Sequence, residues 1–313
     1  MDVNRRRRSV CIADVGPGRI NRLNDRFVKY LFGLEAHKNL LLDFINDVLF
    51  PEGEARFESI ELLNSELSQG GNDLKLSRLD LSARMRDGSS VDVEVQVLNE
   101  HDFRQRMPYY CCMRHAGKLK VGTPYVALSP TIFIGVLAFN LLEEESEYRN
   151  VYALRNEKSG KLLCRDLQLI YLELPKFLDR QCGDVPQTGL ERWLLYLCNE
   201  GGELMDQMAT LDVEIGQALD LEKIFWADEE ERFKYIARQK WIMDNLSREA
   251  TPQYLIQQAH DKGKAEGKAE GKAEGILAGK LETARAMLES SMPVELISKF
   301  TGLSEEEVHE LCS

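Results

Sequence analysis

Residues 76–100 read LSRLDLSARMRDGSSVDVEVQVLNE, and two alternations run through them. Leu79, Leu81 and Ala83 alternate with Arg78, Asp80, Ser82 and Arg84; Val91, Val93, Val95 and Val97 alternate with Asp92, Glu94 and Gln96. Period-2 patterning of this regularity predicts two strands, each with an apolar face turned inward. Asp87-Gly88 marks the turn between them. A two-residue loop would pair Arg86 with Ser89, and therefore Asp80 with Val95, polar against apolar. Keeping both polar sets on one face requires a three-residue loop, taken as Asp87-Gly88-Ser89, or a glycine bulge. In that register Asp80 faces Gln96, with Glu94 a diagonal neighbour. Two carboxylates and an amide then converge on a patch able to hold one cation. Carboxylate oxygen is what Mg²⁺ accepts, one or two from protein with water and substrate phosphate completing the octahedron. Such an ion supplies activated water for attack on a phosphodiester. An ordinary exposed sheet face with scattered acids carries the same pattern, so the neighbouring segments decide its weight.

Downstream, residues 102–122 hold Arg104, Arg106, Arg114, Lys118 and Lys120 against Asp102 alone, with Tyr109 and Tyr110 among them. Basic side chains beside paired carboxylates suit a site that binds a polyanion together with a metal. The helical spacing expected from Asp102 to Lys120 also fits a plain solvated face with aromatics in the core. Upstream, residues 25–49, DRFVKYLFGLEAHKNLLLDFINDVL, place Phe27, Leu31, Leu34, Leu41, Phe44, Ile45 and Leu49 at helical spacing, with a break at Phe50-Pro51-Glu52-Gly53. Strand-like runs are expected at 57–63, 74–85, 90–98, 131–139, 149–154 and 167–174. Helices follow from 189 to 246, with Trp193, Trp226 and Trp241 expected in the core. Helix, strands, helix, strands, helices is the order of a mixed α/β domain with a central sheet.

The whole chain of 313 residues carries a formal charge of −12, which argues against a protein built to coat a polyanion. The distribution is sharper than the sum: residues 1–142 are net +1 and residues 143–313 net −13. Seven cysteines, an odd number with no CxxC, point to free thiols in a reducing compartment, and a cytoplasmic location is the expectation. No HExxH accompanies the five histidines, which leaves a zinc site without support. No apolar run approaches the roughly 18 residues of a membrane span, and the Arg5–Arg8 cluster lacks the apolar segment of a secretory signal.

From Lys262 the unit Gly-Lys-Ala-Glu repeats, with Gly263, Gly267, Gly271, Gly275 and Gly279 spaced four apart. On a helix these glycines form a slowly drifting stripe. Each interior Gly costs about 1 kcal/mol relative to Ala, and like charges recur at i,i+4. A partly helical spacer is the expectation, with a dimerising helix as the alternative. Beyond it, Pro293, Gly302 and a Ser304-x-x-Glu307 capping box predict short helices of helix-turn-helix proportions. The acidic start Glu305-Glu306-Glu307 is poorly suited to face phosphates.

Four features together make the chain resemble the Rpn family of recombination-promoting nucleases, also described as PD-(D/E)XK nuclease family transposases. They are the opening Asp25-x-x-Val28-Lys29 with Phe32-Gly33, where Val28 replaces the usual Phe; the hairpin KLSRLDLSARMRDGSSVDVEVQ; Arg106-x-x-Tyr109-Tyr110 with Gly122-x-x-Tyr125 and the strand at 131–139; and the glycine-lysine-alanine-glutamate tail ending in TGLSEEE. The resemblance covers roughly residues 21–313. It implies an α/β restriction-endonuclease-like mixed sheet flanked by helices, with a helical C-terminal extension, and Mg²⁺-dependent DNA cleavage, with Mn²⁺ as a substitute ion. Carried over, Asp80 and Glu94 hold the metal and Gln96 takes the last position of the E-x-K motif. An amide there orients water but neither supplies positive charge nor accepts a proton. Lys29, Arg106, Tyr109 and Tyr110 are phosphate-contacting or site-shaping candidates. With residues 1–20 read from their arginines, glycines and proline as a basic mobile tail, the expected organisation continues with a nuclease-like domain at 21–250, the repeat helix or spacer at 251–280 and a helical hairpin at 281–313. DNA is the expected partner, with homodimerisation through the C-terminal region as a further expectation. The rival reading is a catalytically degenerate nuclease fold that binds DNA or protein through its helical tail.

Overall fold

The computed structural model describes residues 20–53, 56–63, 81–100, 102–119, 121–198 and 202–311. Asp80 and nearly all of the basic tail lie outside them. Ile20, placed by expectation at the end of that tail, is fully buried in the core. Two compact units divide the chain, residues 1–246 and 247–313.

The first unit opens with α1 (Asp25–Phe32), whose N-terminus is capped by the Asn24 side chain accepting from the Arg26 amide. Gly33 ends it, so the expected 25–49 helix is two, the second being α2 (Lys38–Leu49). The strands β1 (Ile60–Leu62), β2 (Leu81–Met85) and β3 (Ser90–Gln96) follow, then helix α3 (Phe103–Gly117) and strand β4 (Thr131–Leu137). After them come β5 (Arg149–Ala153), β6 (Leu167–Glu173) and helices α4 (Leu174–Arg180), α5 (Gly189–Leu197), α6 (Glu203–Leu211) and α7 (Val213–Ala227). The strands form one sheet in the order β1-β2-β3-β4-β6-β5. Its centre, β3-β4-β6, is parallel and its two sides are antiparallel. A parallel β3–β4 pair needs a crossover, and α3 provides it. The expected mixed sheet flanked by helices is therefore what forms.

Every residue of β4 is buried, as a central strand covered on both faces requires. Val91, Val93, Ile132 and Ile134 pack with Phe27, Phe44 and Trp193 into the larger core; Phe103, Met107, Phe133 and Tyr171 form a second core beneath α3. Trp193 is fully buried, Trp226 half-buried, and Trp241 exposed, contrary to its expected core position. The Trp241 ring instead lies against the Arg238 guanidinium, 4.1 Å away, an arrangement that works at the surface.

The β2–β3 hairpin keeps the expected parity but not the expected register. Leu81 pairs with Val93, Ser82 with Asp92 and Arg84 with Ser90, two positions from the alignment predicted for a loop at 87–89. The Met85 amide donates to the Ser89 carbonyl, leaving Arg86-Asp87-Gly88 as the loop. Gly88, at φ +86°, occupies its last position, where three-residue hairpins place a left-handed residue.

Helix α8 (Glu229–Glu289) runs continuously for 61 residues and carries the repeat within it. A Cβ added at any of the repeat glycines would meet nothing within 4 Å, so none of them is packed. In the second unit, α9 (Val294–Thr301) ends on Gly302 in the left-handed conformation, and α10 (Glu305–Glu310) begins with the full Ser304–Glu307 capping box. Ile297, Leu303, Val308 and Ala284 form its small core.

Candidate functional site

Alternation puts Asp92, Glu94 and Gln96 on one face of β3, and α3 lies over that face. Arg114 near the end of α3 meets Asp92, while Arg106 near its start meets Glu94. Helix and strand thus run in opposite directions, and two arginines two helical turns apart serve two carboxylates two residues apart.

The two pairs differ in kind. Asp92 is fully buried, and both of its oxygens are taken: Arg114 Nε donates to Oδ2 at 3.1 Å, and Arg114 Nη2 and Ser82 Oγ donate to Oδ1 at 3.0 and 2.5 Å. Burial raises the Asp92 carboxyl above its ordinary range, and Arg114 opposes that rise. This closed pair anchors α3 to the sheet. At Glu94, Gln96 Nε2 donates to Oε1 at 2.9 Å, and Arg106 Nη2 stands 4.0 Å from the same oxygen. Arg106 Nη1 is held by Glu100 and, at 3.3 Å, by Asp102. Burial works against the Arg106 charge, but Glu100, Glu94 and Asp102 together hold its pKa above the ordinary value. Its Nε is buried and makes no hydrogen bond among the described residues.

A cavity of about 240 Å³ opens at the end of β3, lined by Glu94, Gln96 and Glu100 together with Asp25 and Lys29 from α1 and Arg238 from α8. Asp25 and Lys29 are one helical turn apart and therefore share a face. Asp25 accepts from Arg238 Nε at 2.7 Å. The fold thus brings Lys29, Glu94 and Gln96 to one cavity and holds Arg106 beside Glu94. It does not bring Tyr109 or Tyr110 to the cavity. Tyr110 is half-buried with its ring 6.4 Å from Phe133, and Tyr109 is exposed. Asp80 lies outside the described residues. Arg238 and Glu100 escaped the sequence reading. Glu100 is within reach, four residues beyond the end of β3; Arg238 lies in a helix some 140 residues on, and no local pattern ties it to Glu94.

The donor set at the cavity is hard oxygen, a buried carboxylate and a side-chain amide, which fits Mg²⁺ or Mn²⁺ rather than a soft ion. A second acidic group, Asp43, Asp212 and Glu214, has oxygens within 4.8 Å of one another. Two of its members are already engaged. Asp43 accepts from Trp193 Nε1 at 2.8 Å; Asp212 accepts from Arg192 at 2.6 Å and caps α7.

Residues 22–250 match the family model described as PD-(D/E)XK nuclease family transposase, and residues 278–313 match that of the C-terminal HTH domain of the Rpn/YhgA-like nuclease family. No curated protein and no solved structure gives a significant match. Among the described residues no helix is long and apolar enough to cross a membrane.

Proposed function

Since the chain belongs to the PD-(D/E)XK nuclease family transposases, we propose that it is a divalent-metal-dependent DNA endonuclease, with Mg²⁺ as its ion and its reacting centre at the end of β3. The observation that carries this reading is the single cavity shared by Glu94, Gln96 and Lys29. Glu94 and Asp80 are the proposed ligands. The Leu81↔Val93 pair leaves Glu94 next on one strand, and Asp80 is the next residue of the sequence on the other. A bound Mg²⁺ supplies charge neutralisation at the scissile phosphate and a more acidic water.

The protein's own groups do the rest. Gln96 fixes one Glu94 oxygen through its amide N–H and orients water through its amide oxygen. Lys29 supplies the positive charge that an amide at position 96 lacks and draws a phosphate toward the cavity. Arg106 balances the charge of buried Glu94 from the side of α3. The match of the second unit to a C-terminal HTH domain supports a further DNA contact there, away from the acidic start of α10. The same family membership supports a link to recombination or mobile elements.

Nicking of supercoiled plasmid in Mg²⁺ tests the proposal. Full-length protein is expected to nick, with Glu94→Ala and Asp80→Ala each losing at least 100-fold and Lys29→Ala losing about 10-fold or more. A Glu94→Ala variant that cuts as well as the parent overturns the assignment and exposes a contaminating nuclease. No cleavage by the parent, with DNA retention indifferent to Asp80→Ala, favours a degenerate scaffold that binds DNA.

A further inference from the structure

A larger cavity, about 520 Å³, lies at the other end of the β3 polar face. Arg84, Arg114 and Lys118 line it, together with Ser90, Thr123 and Ser129, and no acidic residue is among the described residues that do. Ser90 lies four positions before Glu94 on β3, and Arg114 eight positions after Arg106 on α3. Both separations correspond to about 12–13 Å. One wall is the loop at 123–129, which carries Tyr125, 80% exposed, and Val126, 93% exposed.

The cations here are unequal. Arg114 is committed to Asp92. Lys118 Nζ donates to the Ser129 and Pro130 carbonyls, at 3.1 and 2.5 Å, and keeps a third N–H. Burial, reinforced by Arg114 and Arg84 and opposed by Asp92, pulls the Lys118 ammonium down to about 8. An anion would relieve that cost. Among the described residues Arg84 is held by Glu61 at 2.9 Å, and both side chains are half or more exposed, so the pair is weak and exchangeable. The segment that walls this cationic cleft thus carries an exposed aromatic ring, and cations with an exposed ring nearby are the pairing that recognises single-stranded nucleic acid: cations track the backbone and a ring takes a base.

From these residues we infer that Arg84 and Lys118 bind a backbone phosphate of a single DNA strand while Tyr125 stacks on one of its bases. That phosphate lies about 12–13 Å along the face from the one at Glu94. This rests on the nuclease reading and narrows it: the substrate has a single-stranded segment beside the cut.

The test is fluorescence anisotropy of full-length protein in EDTA, where no cleavage occurs, with a labelled 20-nucleotide single strand and its duplex, between 50 and 300 mM KCl. Arg84→Gln/Lys118→Gln is expected to lower the slope of log K against log salt for the single strand by about 1.4, near 0.7 per contact. Arg84→Gln alone, at an exposed position, should lower it by about 0.7 and guards against misfolding of the double variant. Tyr125→Ala is expected to weaken the single strand about 5- to 100-fold and to leave the duplex unchanged. Unchanged slopes in both charge variants, or an unchanged single-strand affinity in Tyr125→Ala, overturn the inference and leave the nuclease reading standing. Tighter binding of the matched RNA overturns the assignment to DNA. A parent that binds none of these probes overturns the inference, and the nicking assay in Mg²⁺ decides the nuclease reading separately.

Discussion

Glu94 on β3 stands directly beside Gly135 on the parallel neighbour β4, and the missing side chain at Gly135 is what lets α3 lie close over the buried carboxylate. A Cβ at residue 135 would come within 2.9 Å of Met107 Sδ and 3.2 Å of Phe103, both on α3. Gly135→Ala therefore pushes on the helix that carries Arg106. We expect a loss of about 1–3 kcal/mol in urea unfolding and reduced cleavage in protein that is still folded. A variant with parental stability and activity would show that α3 yields without cost.

Gln96 is tied to Glu94 by a single hydrogen bond of 2.9 Å. Gln96→Leu keeps the bulk and removes the amide. Removing a group that orients a metal ligand costs 10–100-fold in affinity or activity, and that loss is expected in the nicking rate at saturating Mg²⁺. An undiminished rate would mean that Glu94 is positioned without it.

Asp47 on α2 gives a pH-dependent stability. It is 3% exposed, accepts from Arg56 at 2.6 Å, and is pushed up to about 6 by burial and then by Asp43, against the Arg56 ion pair. The folded state thus holds this proton more tightly than the unfolded chain does. Its destabilising charge is fully present above about pH 6 and is relieved as pH falls toward 4. Asp47→Asn should stabilise the protein at pH 7.5 by about 1–3 kcal/mol, with the gain fading at pH 4.5. Urea unfolding at the two pH values reads it; equal effects at both would refute the charge penalty.

Adjacent cysteines on α3 should react very differently. Cys111 is buried and its thiol is pushed up to about 12, chiefly by burial, whereas Cys112 is exposed. The thiolate is the reactive form. Iodoacetamide at pH 8 should label Cys112 and Cys182 in the native protein and reach Cys111 and Cys198 only after unfolding, as fragment-ion mass spectrometry can follow. Equal labelling of Cys111 and Cys112 would contradict the packing of α3 on β4.

Most of the sheet was legible because alternation and apolar runs are local signals. The strands observed at 90–96, 131–137, 149–153 and 167–173 fall within the expected runs. The hairpin register differs from the expected one by two positions because alternation carries parity but not the conformation of the loop. Parity admits both registers, and only the backbone demand for a left-handed residue at the end of the loop selects Arg86–Gly88. At the site, Glu94, Gln96 and Lys29 were readable as residues, but their meeting in one cavity is a tertiary fact. The neighbours that complete it are hidden for the same reason: Arg238 arrives from a distant helix, and Trp241, an aromatic residue at helical spacing, has that arginine for its partner. Gly135 sits unobtrusively in the run Thr131–Leu137, and its role follows only from what stands across from it.

The central claim is that Glu94 holds a divalent ion at the end of β3. Titration of Mn²⁺ into full-length protein at pH 7.5, followed by the electron paramagnetic resonance signal of unbound Mn²⁺, measures this without any dependence on cleavage. The parent is expected to take up Mn²⁺ at this site and Glu94→Gln to bind it at least 10-fold more weakly, while Asp43→Asn leaves the affinity unchanged. Parental Mn²⁺ binding by Glu94→Gln would contradict the account.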